Sequence, residues 1–297
     1  MERLLFIYNP HAGRGAVRPK LAGILNAFTK AGQLVTVYPT QGKGDATRAA
    51  AMAPEFDRLA VCGGDGTLHE VVNGLMALPE DQRPPVGYIP AGTTNDFSRN
   101  LNLPRGMENM ARTAVSGTPR PIDIGRLNDR FFVYVAAFGA FTDVAYSTPQ
   151  EFKNIFGHLA YLLQGMGELA NLKGYHLKVE HDRGSVEGNF LYGMFSNTVS
   201  VGGLIDLPAD QVALDDGLLE SILVVMPRKM SDLQTSIHAL AHQDYTRENG
   251  IISLRSSRFR IISAEPMTMT LDGEYGGAHQ EAVIEAVPRP IEIIYGA

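Results

Sequence analysis

Four short apolar runs, RLLFIYN (3–9), QLVTVYP (33–39), RLAVC (58–62) and VGYIP (86–90), alternate with stretches of helical periodicity near 17–31, 44–53 and 67–77. An apolar run too short for a helix, followed by an amphipathic helix, is a βα unit. Three in succession confine the first 120 residues to a parallel sheet covered by helices. After RPIDIGRLN (120–128) the texture changes to short strand-like runs divided by Gly, Asp and Pro, with a hairpin predicted around Asp182 to Gly184. FFVYVAAFGAF (131–141) reads as one buried strand, and PRPIEIIYGA (288–297) as a strand able to return to either half. EFKNIFGHLAYLLQGMGELANL (151–172) is the exception in a mainly β second half, its apolar residues recurring at helical spacing.

Composition removes several function classes. With 297 residues, 44% hydrophobic and a net charge of -6, the chain suits two ordinary domains and carries no block of Lys and Arg to track a phosphodiester backbone. Nucleic acid is excluded as a partner. The lone Cys62 rules out an intrachain disulfide and fits a reducing, cytoplasmic compartment. The N-terminal apolar run goes straight into Asn9-Pro10, unlike a secretion signal, and no window has the 18 apolar residues a spanning helix needs. Membrane contact is therefore expected to be peripheral.

In an open parallel sheet, ligands gather at the carboxyl ends of the strands. Three glycine-rich turns fall there: NPHAGRG (9–15), GGDGT (63–67) and AGTTND (91–96). Glycine lets the backbone approach a phosphate, and the helix that follows offers its positive end. Neither the Walker ending nor the GxGxxG spacing is present, so phosphates must be held some other way. Asp65, Thr67, Thr93, Asn95 and Asp96 supply polar groups. His69 reads as a polar residue at a helix start, and Arg14 as a residue for phosphate or for solvent.

GGDGTLHEVVNGL (63–75), followed by IPAGTTNDFSRNL (89–101), resembles the diacylglycerol kinase catalytic domain. The similarity is to its bacterial soluble lipid kinase branch, in a superfamily that includes sphingosine, ceramide and NAD kinases. NPHAGRG, ALDDGLLE (213–220) and LDGE (271–274) resemble further motifs of that family in the expected order. The resemblance implies an NAD kinase-like α/β nucleotide-binding domain with a parallel sheet, residues 1–122 plus about 288–297. It also implies a C-terminal β-sandwich domain, residues 123–287, with the lipid site and the acidic motifs. ATP and Mg²⁺ would occupy the cleft between them. Asn9, Pro10, Gly13, Thr40, Gly63, Gly64, Gly66, Thr67, Glu70, Thr93 and Asn95 would serve the nucleotide, Asp96 the catalytic Mg²⁺, and Asp65 the metal-bound water.

Phosphoryl transfer needs positioning, charge cancellation and a group to accept the attacking hydroxyl's proton. In MTMTLDGEYGG (267–277) the alternation suggests a strand ending at Asp272-Gly273-Glu274. If it stays extended, the two carboxylates point the same way and repel, which favours a proton acceptor. The resemblance makes one of the two the base and leaves open which. In ALDDGLL it implies a structural Mg²⁺ held by Asp216 with the carbonyls of Ala213 and Leu218, where the bare sequence is also a good turn. The expected activity is phosphorylation of diacylglycerol or a related lipid by ATP, giving phosphatidic acid, at a membrane surface and with homodimers occurring in the family. Rival readings are an NAD kinase, a sphingosine or ceramide kinase, and a catalytically silent nucleotide or lipid sensor. The helix at 151–172, with Lys153 and Lys173, either borders an acyl-chain entrance or simply covers the sandwich.

Overall fold

Leu4, Leu5, Phe6 and Ile7 are all inaccessible to solvent, as consecutive residues of a strand covered on both faces must be. The computed structural model describes residues 1–139, 172–198, 200–201, 205–207 and 213–296. The chain divides into two compact units, Met1–Asp123 with the strand end from Pro288, and Ile124–Val287.

In the first unit β1 (Glu2–Tyr8), β2 (Gln33–Pro39), β3 (Arg58–Gly63) and β4 (Val86–Pro90) pair in parallel in the order β4-β3-β1-β2. The end of β15 (Glu274–Tyr295) adds to β4, with Ile293 opposite Val86. Tyr8 lies opposite both Pro39 and Cys62, and Gly63 opposite Pro90, so the carboxyl ends of all four strands form one row. A short left-handed turn, α1 (Ala12–Gly15), and helices α2 (Leu21–Lys30), α3 (Asp45–Ala50), α4 (Asp65–Met76) and α5 (Met107–Ser116) connect the strands. Ile24 and Phe28 of α2 pack with Ala111 and Ala114 of α5 over Leu4, Phe6 and Ile89. Phe6 meets Phe28 edge-on at 5.2 Å, a favoured aromatic geometry.

The second unit is antiparallel among its described strands: the end of β5 (Thr118–Leu127), β6 (Arg130–Phe132), β7 (Val135–Gly139), β8 (Tyr175–His181), β9 (Gly184–Ser196), the short pair β10 (Ser200–Val201) and β11 (Ile205–Asp206), β12 (Leu219–Val225), β13 (Ile251–Ser256), β14 (Arg258–Leu271) and the first part of β15. The long strands β9 and β14 each pair with both β7 and β8, which closes a ring of four strands. Phe138, Phe190, Phe195, Phe259, Met269 and Leu271 fill it. The predicted hairpin is present, with His181 opposite Gly184 across a two-residue turn.

One expectation is corrected, and one helix is added. The run 131–141 is not one strand: β6 (Arg130–Phe132) ends, Val133 and Tyr134 interrupt it, and β7 starts at Val135, because the amides of 133–135 donate to a side chain far along the chain. Helix α6 (Met230–Ala241) was not foreseen. Its signal is present, with Met230, Leu233, Ile237 and Leu240 at helical spacing and Asp232 Oδ2 accepting the N–H groups of Arg228 and Lys229 at 3.2 Å. The predicted helix at 151–172 falls almost wholly outside the described residues. Among those described, no helix is long and apolar enough to cross a membrane.

Candidate functional site

The row of strand ends brings the three glycine turns together. An added Cβ at Gly13 would stand 2.3 Å from the carbonyl oxygen of Ala91, and one at Gly92 only 2.6 Å from the Cα of Gly64. No other residue fits these contacts, and the approach is pinned by an Ala91 N–H bond to the Gly63 carbonyl at 2.8 Å. Asn95, with φ 53°, closes its own turn by exchanging hydrogen bonds with Gly92 at 2.8 and 2.9 Å. Asp65 opens α4 and accepts the Asp96 N–H at 3.1 Å, which puts the two predicted acidic residues side by side; Asp96 is 1% exposed. Asn9 Nδ2 reaches Thr67 Oγ1 at 3.5 Å, a long contact, and Asn9 N bonds Cys62 O at 2.9 Å.

Other predicted nucleotide residues have different surroundings. Glu70 accepts the N–H groups of Gly44 and Ala46 at 2.7 and 3.1 Å, so its carboxylate ties down the loop after β2. Thr40 is buried and bonded through its N–H to Tyr8 O at 2.9 Å, while Thr93 is exposed. Pro10 and Gly66 lie partly buried in their turns. Burial pushes the Cys62 thiol up to about 12, so it is an inert core residue at neutral pH. Burial, and then the charges of Asp65, Cys62 and Asp96, hold the Tyr88 hydroxyl protonated well above its usual range.

These residues fit a nucleotide and its magnesium. The N-terminus of α4 has no side-chain cap, and its first turn follows bare glycine backbone, which is the arrangement that receives phosphate. Asp65 and Asp96 offer the oxygen donors that Mg²⁺ prefers. One further element was underread in the sequence: Gly13, Arg14 and Gly15 have φ of 55°, 61° and 82°, a left-handed turn that aligns successive N–H groups for an anion. The signal was the AGRG string itself, because a left-handed non-glycine residue is costly and sits best between glycines.

In the second unit the expectation of an extended Asp272-Gly273-Glu274 fails. Asp272 and Gly273 have φ of 50° and 85° and form a two-residue turn, with Leu271 opposite Glu274. Asp-Gly is the sequence that such turns require, and this outweighs the alternation leading into it. The two carboxylates thus differ. Asp272 is 5% exposed and accepts three backbone bonds, from Val133 at 2.7 Å and from Tyr134 and Val135 at 3.0 Å. Glu274, two residues on, is only partly buried.

Asp216 stands in a turn before β12, where its Oδ1 accepts the Leu218 N–H at 2.9 Å and its Oδ2 is paired with Arg255. With a permanently charged guanidinium already on its carboxylate, the set Ala213, Asp216 and Leu218 does not fit a second cation as it stands. Among the described residues no group of three His, Cys, Asp or Glu side chains gathers to hold a metal. Lys173 pairs with Glu265 at 3.2 Å.

Comparison with known proteins identifies the family and the fold. A sequence profile described as the diacylglycerol kinase catalytic domain matches residues 3–127, and one described as the YegS C-terminal NAD kinase beta sandwich-like domain matches 137–295. The chain is 38% identical over 280 residues to a diacylglycerol kinase of Bacillus subtilis, covering 93% of this chain and 91% of that one. A crystal structure of a diacylglycerol kinase from Bacillus anthracis superposes with a TM-score of 0.76 at 25% identity, covering 99% and 97% of the two chains. An NAD kinase from Archaeoglobus fulgidus in complex with ATP shares the fold, with a TM-score of 0.56 at 14% identity over 98% and 93%.

Proposed function

The chain belongs to the diacylglycerol kinase family, phosphotransferases with an alcohol acceptor, and from that premise we propose that it transfers the γ-phosphate of ATP to the free hydroxyl of diacylglycerol, forming phosphatidic acid. The observation that carries the nucleotide half is the meeting of Gly13 with Ala91 and of Gly64 with Gly92 beside the uncapped start of α4. Bare backbone at a helix N-terminus binds phosphate oxygens without a lysine, which accounts for a kinase with no Walker ending. When bound, Mg²⁺ would cancel phosphate charge, with Asp65 and Asp96 as the residues to hold it and its water.

Of the two carboxylates left open by the sequence, we assign proton acceptance to Glu274 and anchoring to Asp272. Three N–H donors already fill much of the acceptor capacity of Asp272, whereas Glu274 retains access and can meet a hydroxyl. The lipid acceptor is met at a membrane surface, by peripheral contact. The test is phosphate transfer from ATP to dispersed diacylglycerol, with NAD and sphingosine in parallel. Phosphatidic acid formation by the intact chain, lost in Glu274→Gln, is expected. Phosphorylation of NAD alone would replace this reading with that of the sister branch.

A further inference from the structure

The turn that leads into β12 has a cation of its own. Arg255 lies on β13 directly opposite Glu220 on β12, and its guanidinium serves both acidic residues at this edge. One nitrogen pairs with Asp216 Oδ2, while Nε donates to Glu220 Oε1 at 3.1 Å. Asp216 Oδ1 closes the turn on the Leu218 N–H at 2.9 Å. The Glu220 side chain is 9% exposed, and among the described residues its second oxygen is buried with no partner and Arg255 is its counter-charge.

A magnesium ion here would need carboxylate oxygen at about 2.0–2.1 Å and near-octahedral geometry. That space is held by a guanidinium, which is planar, permanently charged and tethered to the neighbouring strand. A divalent ion could enter only if Arg255 left, since two cations a few ångströms apart repel. Departure would strip Glu220, buried beside its strand partner Ser196, of the one compensating charge it has among the described residues.

We propose that Arg255 serves this turn as a built-in cation in place of a divalent metal, so that the β12–β13 edge folds and stays folded without one. The claim concerns folding and stands independently of which acceptor the protein phosphorylates.

The test uses the full chain without nucleotide, comparing thermal unfolding at pH 8, where Glu220 is ionised, in excess EDTA and in millimolar Mg²⁺ or Ca²⁺. Wild type should melt at the same temperature in all three. Arg255→Met should melt about 1–4 °C lower in EDTA, as expected for a partly exposed ion pair in a chain of this size. Divalent ions should restore part of that loss, because the two carboxylates then lack a counter-charge. Arg48→Met, which removes an arginine paired with a single carboxylate, Asp45, at 2.8 Å, should gain no metal response. If Arg255→Met does not fold, Asp216→Asn decides: its melting should be as indifferent to EDTA as wild type. A wild-type melting point that falls in EDTA and recovers with Mg²⁺, with the response lost in Asp216→Asn, would overturn the proposal.

Discussion

Replacing Asp272 and Glu274 separately should split stability from chemistry. Asp272→Ala removes the acceptor for the N–H groups of Val133, Tyr134 and Val135, which are 1, 6 and 5% exposed and so out of reach of water. Each buried donor left unpaired costs about 1–3 kcal/mol, and with one of the three relaxing toward a new partner the remaining two should cost about 2–6 kcal/mol. Asp272→Asn keeps one acceptor oxygen and turns an amide group toward the rest, for a loss of about 1–3 kcal/mol. Glu274→Gln is isosteric and partly exposed, so it should shift stability by no more than about 0.5 kcal/mol. It should nevertheless lower turnover by about 10²–10⁴-fold, the usual contribution of a general base. The assay is amide hydrogen exchange over residues 133–135 beside urea midpoints, since two units need not unfold together. Protection at 133–135 should fall in both Asp272 variants and remain in Glu274→Gln. Full protection in Asp272→Ala, or a larger stability loss in Glu274→Gln than in Asp272→Asn, would refute the division of roles.

Gly92→Ala drives a Cβ to within 2.6 Å of Gly64 Cα; calorimetry should find stability lower by about 1–3 kcal/mol and ATP binding weakened at least about tenfold, one decade being about 1.4 kcal/mol. Glu70→Gln halves the charge-assisted bonds to Gly44 and Ala46, and should cost about 1–2 kcal/mol in denaturant unfolding. Glu220 is raised from 4.5 to about 7, by burial first, with Arg255 pulling down and Asp216 pushing up. The unfolded chain loses this proton before the folded one, so the contribution is complete below pH 4.5 and is lost as pH rises to about 7. Glu220→Gln should flatten that slope, worth about 3 kcal/mol at most, in midpoints measured from pH 4 to 8. Arg14→Asn retains a left-handed residue but removes its charge; it should weaken ATP binding about 3–10-fold at low salt and less at high salt.

The first unit was legible because its signals are local. Each strand end is followed within a residue or two by its glycine turn, so β1, β3 and β4 and their loops could be read in order, and the helix start at Asp65 came with them. The second unit depends on pairs distant in sequence. Asp272 meets Val133 across 139 positions, and Arg255 meets Asp216 across 39, and no local pattern announces either. The interruption at Val133 and Tyr134 is invisible in an apolar run, because only the far carboxylate explains it. The Asp272-Gly273 turn differs in kind: its local signal, Asp-Gly, is present and overrides the strand alternation that leads into it. Thr40 and Glu70 follow the same division, the family resemblance naming the residues and the fold alone revealing that Glu70 restrains the loop at 44–46.

The most direct measurement is the lipid product formed from γ-labelled ATP and diacylglycerol by the intact chain and by Glu274→Gln, with NAD as a competing acceptor. The account predicts labelled phosphatidic acid from the intact chain, none above background from Glu274→Gln, and no labelled NADP. Label in NADP alone, or equal phosphatidic acid from both chains, would contradict it.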